Sequence, residues 1–308
     1  MQTQTRAASA LSPQQIETVV ASTADAVEAE FFAPSRGCAI AAHVRRLATE
    51  GHYTGLCDPA ALAERVTADM QAVQPDLHLR LVFRPDGVID QTDEAAEDAF
   101  WQEEARRTAG GVRGVHRLDG DIALLDLAPA LSDPRYGGEA IVAAMQLVAD
   151  AAALVIDLRD NRGGTPEAVA LICGYLFGPE PVHLIDVESA AGTHQHWTPA
   201  WVPGRRFGPD KPLLVLVSGW TFSGGEELAF DLQELGRARV VGEQTRGGAH
   251  PRVGVRVHSH LEATVPCARS VSPRSGTNWE GVGILPDLPV AADEALDVAL
   301  RHLATDGT

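Results

Sequence analysis

The chain has 308 residues, 45% of them hydrophobic and 22% charged, enough for one large core or two smaller ones. Its formal charge, 25 − 42 = −17, argues against an electrostatic grip on nucleic acid or an anionic membrane surface. The only lysine, Lys211, sits between Asp210 and Pro212, which excludes a P-loop and leaves almost no room for a catalytic lysine.

Residues 1–10 read as a loose, disordered tail, and residues 11–75 as an N-terminal helical bundle. Ser12-Pro13 opens a first helix carrying Ile16, Val19, Val20, Ala24 and Val27 at helical spacing. A second helix is expected near Ala39 to Glu50, and a third from Asp58-Pro59 with Leu62, Val66 and Met70. Leu77 to Phe83 then alternates as a half-buried strand, with His78 on its polar face. Residues 86–110 read as an acidic loop with a short surface helix, Gly120 to Leu127 as a strand, and Gly138 to Ala153 as an apolar helix.

Ala153 to Arg159 is a continuous apolar strand of the kind buried on both faces. The turn Asp160-Asn161-Arg162-Gly163-Gly164 leads into a helix at Thr165-Pro166. The same grammar repeats with the strand Pro212 to Val217, the turn Ser218 to Phe222 and a helix from Ser223, followed by a strand at Arg239 to Val241. This spacing implies parallel pairing in an α/β layer. Between the two repeats, residues 186–211 read as one long loop rich in Trp, Pro and Gly, and Asp293 to Leu303 as a terminal amphipathic helix.

The longest apolar stretch, Ala140 to Leu158, is broken by Gln146 and Asp150, so no membrane span is expected. Met1 to Ala8 lacks an apolar segment, so no secretory signal is expected either. Cys38, Cys57, Cys173 and Cys267 are scattered, with no Cys-x-x-Cys pair, which fits reduced thiols in a cytoplasm. No histidine is followed by Glu, and the Gly-x-Gly-x-x-Gly and Gly-x-Ser-x-Gly motifs are absent. His194-x-His196 and His258-x-His260 could each present two rings on one strand face, but no further ligand accompanies them.

Ser223 lies where a buried strand turns into a helix. Ser223 and Glu226 fit a capping box, in which the hydroxyl only satisfies a helix amide. A nucleophilic role needs a base, an orienter for that base and donors for an oxyanion. Gly163-Gly164 can supply backbone donors at a positive helix end, or can simply make a tight turn.

Four ordered segments carry a resemblance: Asp157 to Gly164, Thr221 to Glu226, Val241 to Thr245 and Glu280 to Asp287. Together they resemble the tail-specific (C-terminal processing) serine peptidase family, in the branch of the interphotoreceptor retinoid-binding protein repeats and the tricorn core protease, across residues 75–290. The resemblance implies a ClpP/crotonase-like α/β core, with residues 76–305 forming a peptidase-like catalytic domain. It implies Ser223 as nucleophile, with Gly224 and either Gly163 or Gly164 as the oxyanion hole.

Many relatives take their base from a Lys after the Gly-Glu-x-Thr segment. Here that region reads Thr245-Arg246-Gly247-Gly248-Ala249-His250, so a Ser–Lys dyad is ruled out unless Lys211, ahead of Ser223 in the chain, serves from an unexpected place. The tricorn-like branch implies His78 as base and Glu280 as the acid that orients it, with His250 in reserve lining the site. Only Arg84 to Arg117 separates the His-bearing segment from the next core strand, too short for the PDZ module of many relatives.

The expectation is therefore a serine-type peptidase acting on a peptide or protein, with no cofactor and no metal, and with a homo-oligomer compatible. Trp197 and Trp201 are expected to wall the substrate site. The competing reading is a non-catalytic binder of an apolar molecule or peptide on the same fold, because the retinoid-binding repeats share the fold without being peptidases.

Overall fold

The computed structural model describes residues 10–89 and 93–306, so the expected tail lies outside the described residues apart from Ala10. In chain order the elements are α1 (Pro13–Glu30), α2 (Pro34–Thr49), α3 (Pro59–Val73), β1 (Arg80–Phe83), α4 (Glu94–Thr108), β2 (Val112–Leu118) and β3 (Ile122–Leu127). Next come α5 (Pro134–Val148), β4 (Ala153–Asp157), α6 (Pro166–Leu176), β5 (His183–Ser189), β6 (Gly192–Trp197), β7 (Leu213–Val217) and α7 (Gly224–Glu234). The chain finishes with β8 (Arg239–Gly242), β9 (Arg252–His258), β10 (Leu261–Pro266), β11 (Ala268–Val271), β12 (Leu288–Pro289) and α8 (Ala295–Asp306). Among the described residues, no helix is long and apolar enough to cross a membrane.

The chain divides into two compact units. The first comprises residues 1–97, 188–192 and 250–269; the second comprises 98–187, 193–249 and 270–308. The first unit therefore runs past the N-terminal helices and recruits strands from much later in the chain.

In the first unit, α1 starts at Ser12 through a reciprocal capping box with Gln15 and Pro13 at the first turn. Asp58 caps α3 through the Ala60 amide. Helix α2 begins at Pro34, earlier than the apolar spacing alone suggested, because Pro34 suits a first helical turn as well as Pro13 and Pro59 do. The sheet has the order β1-β10-β9, antiparallel throughout. Val20, Val27, Ile40, Val44, Leu62 and Met70 pack in one core with Leu79, Leu81, Leu261 and Val265.

The second unit is built on a six-stranded sheet of order β12-β8-β7-β4-β3-β2. Its pairings are parallel except for the antiparallel β2/β3 hairpin. Strands β4 and β7 are buried at every position, as the apolar runs Ala153 to Ile156 and Leu213 to Val217 require; Asp157, the last residue of β4, is buried with Arg159 against its carboxylate at 2.6 Å. Residues of α5, α6 and α7 cover one face, and those of α8 cover the other. The second unit is thus an α/β layer, and the helical region expected at the N-terminus is present in the first.

Two expectations are corrected. Strands β5 and β6 occupy much of the first half of the segment 186–211, which was expected to be one long loop; β6 is exposed at most positions, so it carries no apolar alternation to read. His78 is buried rather than on a polar strand face, because residues 77–78 form a turn ahead of β1.

Leu216, fully buried in the centre of the large sheet, should lose about 2–5 kcal/mol on truncation to Ala. The exposed Leu147, by contrast, should stay within about 0.5 kcal/mol. Urea unfolding of the two variants measures both.

Candidate functional site

In the second unit, two strand-to-helix turns are laced together. The β4 turn is organised by Asn161, which is fully buried: its Nδ2 donates to Leu127 O at 3.0 Å, its Oδ1 accepts from Gly163 N at 2.9 Å, and its backbone O accepts from Phe222 N at 3.1 Å. Thr221 Oγ1 donates to Leu158 O at 2.8 Å, and Ser218 Oγ to Arg159 O at 2.6 Å. These bonds hold the end of β7 against the end of β4.

The glycines permit backbone-to-backbone approach. Gly163 has φ +140° and Gly164 φ +148°, conformations that L side chains rarely adopt. A side chain on Gly163 would begin 3.3 Å from Ser223 Cβ and 3.6 Å from Ser223 Oγ. One on Gly224 would begin 2.6 Å from Gly164 O. Ser223, Gly163, Gly164 and Gly224 are therefore brought together. The Gly163 N–H is committed to Asn161, which narrows the backbone donors of this turn to Gly164.

Ser223 sits at the N-cap of α7 with φ +52° and ψ −124°. An ordinary capping serine occupies the β region. A non-glycine residue in this position costs on the order of 1–3 kcal/mol and persists only where its surroundings impose it. The main constraint is Glu226, itself fully buried. Its Oε2 accepts from Ser223 N at 2.8 Å and Gly248 N at 2.9 Å; its Oε1 accepts from Thr245 Oγ1 at 2.5 Å and Gly247 N at 2.6 Å. Burial pushes the Glu226 carboxyl above its usual pKa, with these hydrogen bonds pulling the other way. The next amide along, Ala249 N, donates to Glu280 Oε2 at 2.6 Å, so Glu280 grips the same segment that Glu226 holds.

His78 and His250 belong to the first unit. There the Asp76 side chain is fully enclosed and makes two contacts: Oδ1 accepts from His78 N at 2.8 Å, and Oδ2 meets His250 Nδ1 at 2.7 Å. Thr264 Oγ1 donates to His78 O at 2.6 Å, and the Phe32 ring packs 4.9 Å from the His250 ring. Asp76 thus fixes the backbone of one histidine and the ring of the other.

The other sequence candidates fall as follows. Trp197 stacks flat on His183, with ring centres 4.3 Å apart, and Trp201 is largely exposed. Lys211 Nζ donates to Ala149 O at 2.6 Å, which commits it to packing. Sequence reasoning assigned no role to Asp76, Asn161 or Thr245, and read Glu226 only as half of a capping box. Asp-x-His and Asn-x-Gly, each a side chain that can bond the amide two residues on, were the available signals.

Behind the turn, α7 buries two further carboxyls one helical turn apart, Glu227 and Asp231. Burial, reinforced by Glu167, pushes Glu227 up to about 8; burial and Glu227 push Asp231 upward as well. Cys173, also buried, has its thiol pushed up by burial and then by these two acids.

A model of peptidase family S41 matches residues 131–290, and one for the N-terminal domain of Peptidase_S41 in eukaryotic IRBP matches residues 9–107. The carboxyl-terminal-processing peptidase 2, chloroplastic, of Arabidopsis thaliana is 31% identical over 139 residues, covering 45% of this chain and 26% of that protein. The carboxyl-terminal-processing protease of Synechocystis sp. is 31% identical over 133 residues, covering 43% of this chain and 30% of that one. The matched segment thus spans about a third or less of these relatives' length. Among solved structures, a lipoprotein from Streptococcus agalactiae superposes with a TM-score of 0.63 at 16% identity, covering 96% of this chain and 98% of that one. The tricorn protease superposes with a TM-score of 0.59 at 14% identity, covering 96% of this chain and 37% of that one. At such identities the likeness is one of fold.

Glu226→Ala strands four donors and should lower stability by at least about 3 kcal/mol, with Glu226→Gln losing less, as measured by chemical denaturation. Glu227 gives a pH signature. Its carboxyl binds a proton in the folded state above the pH at which the unfolded chain releases it, so stability falls as pH rises from about 4.5 towards 8. Glu227→Gln removes that fall, and the variant should gain at least about 1 kcal/mol over the parent at pH 8, with little difference at pH 4. Thermal melts across pH read the crossover.

Proposed function

The chain belongs to peptidase family S41, and on that premise we propose that it is a serine-type peptidase that cleaves a peptide or protein substrate through Ser223. The observation that carries this reading is the backbone of Ser223. A capping serine has no need of φ +52°, yet four hydrogen bonds to Glu226 and the two bare glycines opposite are arranged around that conformation.

In the proposed mechanism, Ser223 Oγ attacks the scissile carbonyl carbon while His78 takes the hydroxyl proton. Glu280 orients His78 and stabilises the imidazolium. The Gly224 and Gly164 N–H groups, at the positive ends of α7 and α6, receive the oxyanion. Collapse of the tetrahedral intermediate breaks the C–N bond as His78 returns the proton to the leaving amine. Water, deprotonated by the same histidine, then releases the acyl group and regenerates Ser223.

A second reading of the base has its own support. The Asp76–His250 pair, 2.7 Å apart, is the geometry that orients an imidazole, and it gives His250 a claim to the role. We propose His78 as the base and Asp76–His250 as support. The four unpaired cysteines accord with a reducing, cytoplasmic setting.

Ser223→Ala should lose at least about 10³-fold in peptide hydrolysis and all labelling by a fluorophosphonate probe while melting as a folded protein. His78→Ala should fall as far, whereas His250→Ala should keep measurable turnover. The reverse order of the two histidine variants assigns the base to His250. An unmodified protein that neither labels nor cleaves, yet binds peptide, is a binder on a peptidase fold.

A further inference from the structure

The second unit carries an open groove of about 480 Å³, lined by Pro134, Glu167, Leu171, His196, Trp197 and Pro199 among others. Its walls are mainly apolar, and three polar side chains, Glu167, Gln195 and His196, break them; Gln195 Nε2 donates to Asp186 Oδ1 at 3.2 Å. Glu167, in the first turn of α6, is exposed and has no cation against it among the described residues. His196 is only 8% exposed; its ring meets His194 edge-on at 4.7 Å and makes no hydrogen bond among the described residues. Burial, and to a lesser degree His194, lowers the pKa of His196, with Glu167 acting in the opposite sense, so the neutral ring is favoured.

The groove lies close to the proposed chemistry along the chain. Glu167 follows Gly164 by three residues, a reach of at most ~11 Å. An extended substrate rises ~3.3 Å per residue, so a side chain within about three residues of the attacked carbonyl could enter here.

The lining selects the occupant. Leu171, Pro134 and the half-exposed Trp197 suit an apolar stem, and Glu167 is a lining carboxylate with no cation against it among the described residues, in a chain whose net charge of −17 already favours cations. We propose that this groove is a specificity subsite for a basic side chain of an extended peptide, its stem against Leu171 and Trp197 and its charged head at Glu167. Arginine is preferred to lysine, because a planar guanidinium can bond a carboxylate through two N–H groups and stack on an aromatic ring. His196 bonds the peptide beside that side chain. The occupant rests on the peptidase reading; the groove and its charge do not.

The test uses full-length Ser223→Ala protein and fluorescent heptapeptides in which arginine, norleucine or glutamate is scanned through the positions flanking the centre. Fluorescence anisotropy should show one position at which arginine binds about 5- to 10-fold tighter than norleucine, with glutamate weakest. Glu167→Gln should bring arginine and norleucine within about 2-fold at that position, while Trp197→Ala weakens both. An arginine preference that survives Glu167→Gln overturns the proposal, as does an absence of arginine-dependent binding. Cleavage of the same peptides by the unmodified protein is read separately. A preference that depends on Glu167 without any cleavage keeps the subsite and removes the peptidase reading.

Discussion

A single carboxylate organises the second unit's candidate site. Glu226 accepts from the Ser223 amide and from three donors of the 245–248 segment, all inside a protein core where an unmet donor is costly. Both effects follow from one group: Ser223 is held in a backbone region serine does not choose, and the segment leading to Ala249 and Glu280 is pinned to the same turn. Four donors converge on the carboxylate and α7 begins beside it, and both pull towards the charged form. Burial outweighs this pull and leaves the Glu226 carboxyl above its usual pKa.

The rest of the turn geometry is complementary. Asn161 closes one turn on itself and receives the amide of Phe222 from the other, so the ends of β4 and β7 share bonds rather than merely lying side by side. Glycine at 163, 164, 224 and 225 is then a steric requirement. A side chain on Gly225 would begin 2.4 Å from Asn161 Oδ1, and one on Gly164 would begin 2.5 Å from Leu131 Cβ. The first unit follows the same economy: the enclosed Asp76 sets one histidine's backbone and another's ring.

Much of this was legible in the amino-acid order. Ser12-Pro13, Asp58-Pro59 and Thr165-Pro166 mark helix starts because capping and a fixed φ act locally, and β4 and β7 announce themselves through the apolar runs Ala153 to Ile156 and Leu213 to Val217. Strand β6 did not, since Thr193, His194 and Gln195 are exposed and carry no burial pattern. The burial of His78 was hidden for a different reason: it depends on Asp76 turning the chain before β1 begins, and alternation cannot report a turn. Glu226 was visible only as a cap. Three of its four donors come from about twenty residues downstream, and no local rule connects them.

The first unit is assembled from pieces of chain that are far apart. Arg80 pairs with Thr264 and Phe83 with Leu261, so the central strand of its sheet is supplied only after the whole large sheet apart from β12 has been made. On a ribosome, the three N-terminal helices emerge with one side of their hydrophobic interior still waiting for Leu261, Ala263 and Val265. Such distant closure is slow, and it leaves apolar surface uncovered during synthesis. A gene fragment that stops short of that hairpin would encode helices without their floor, so experiments that dissect this molecule are better done with point changes than by cutting it into pieces.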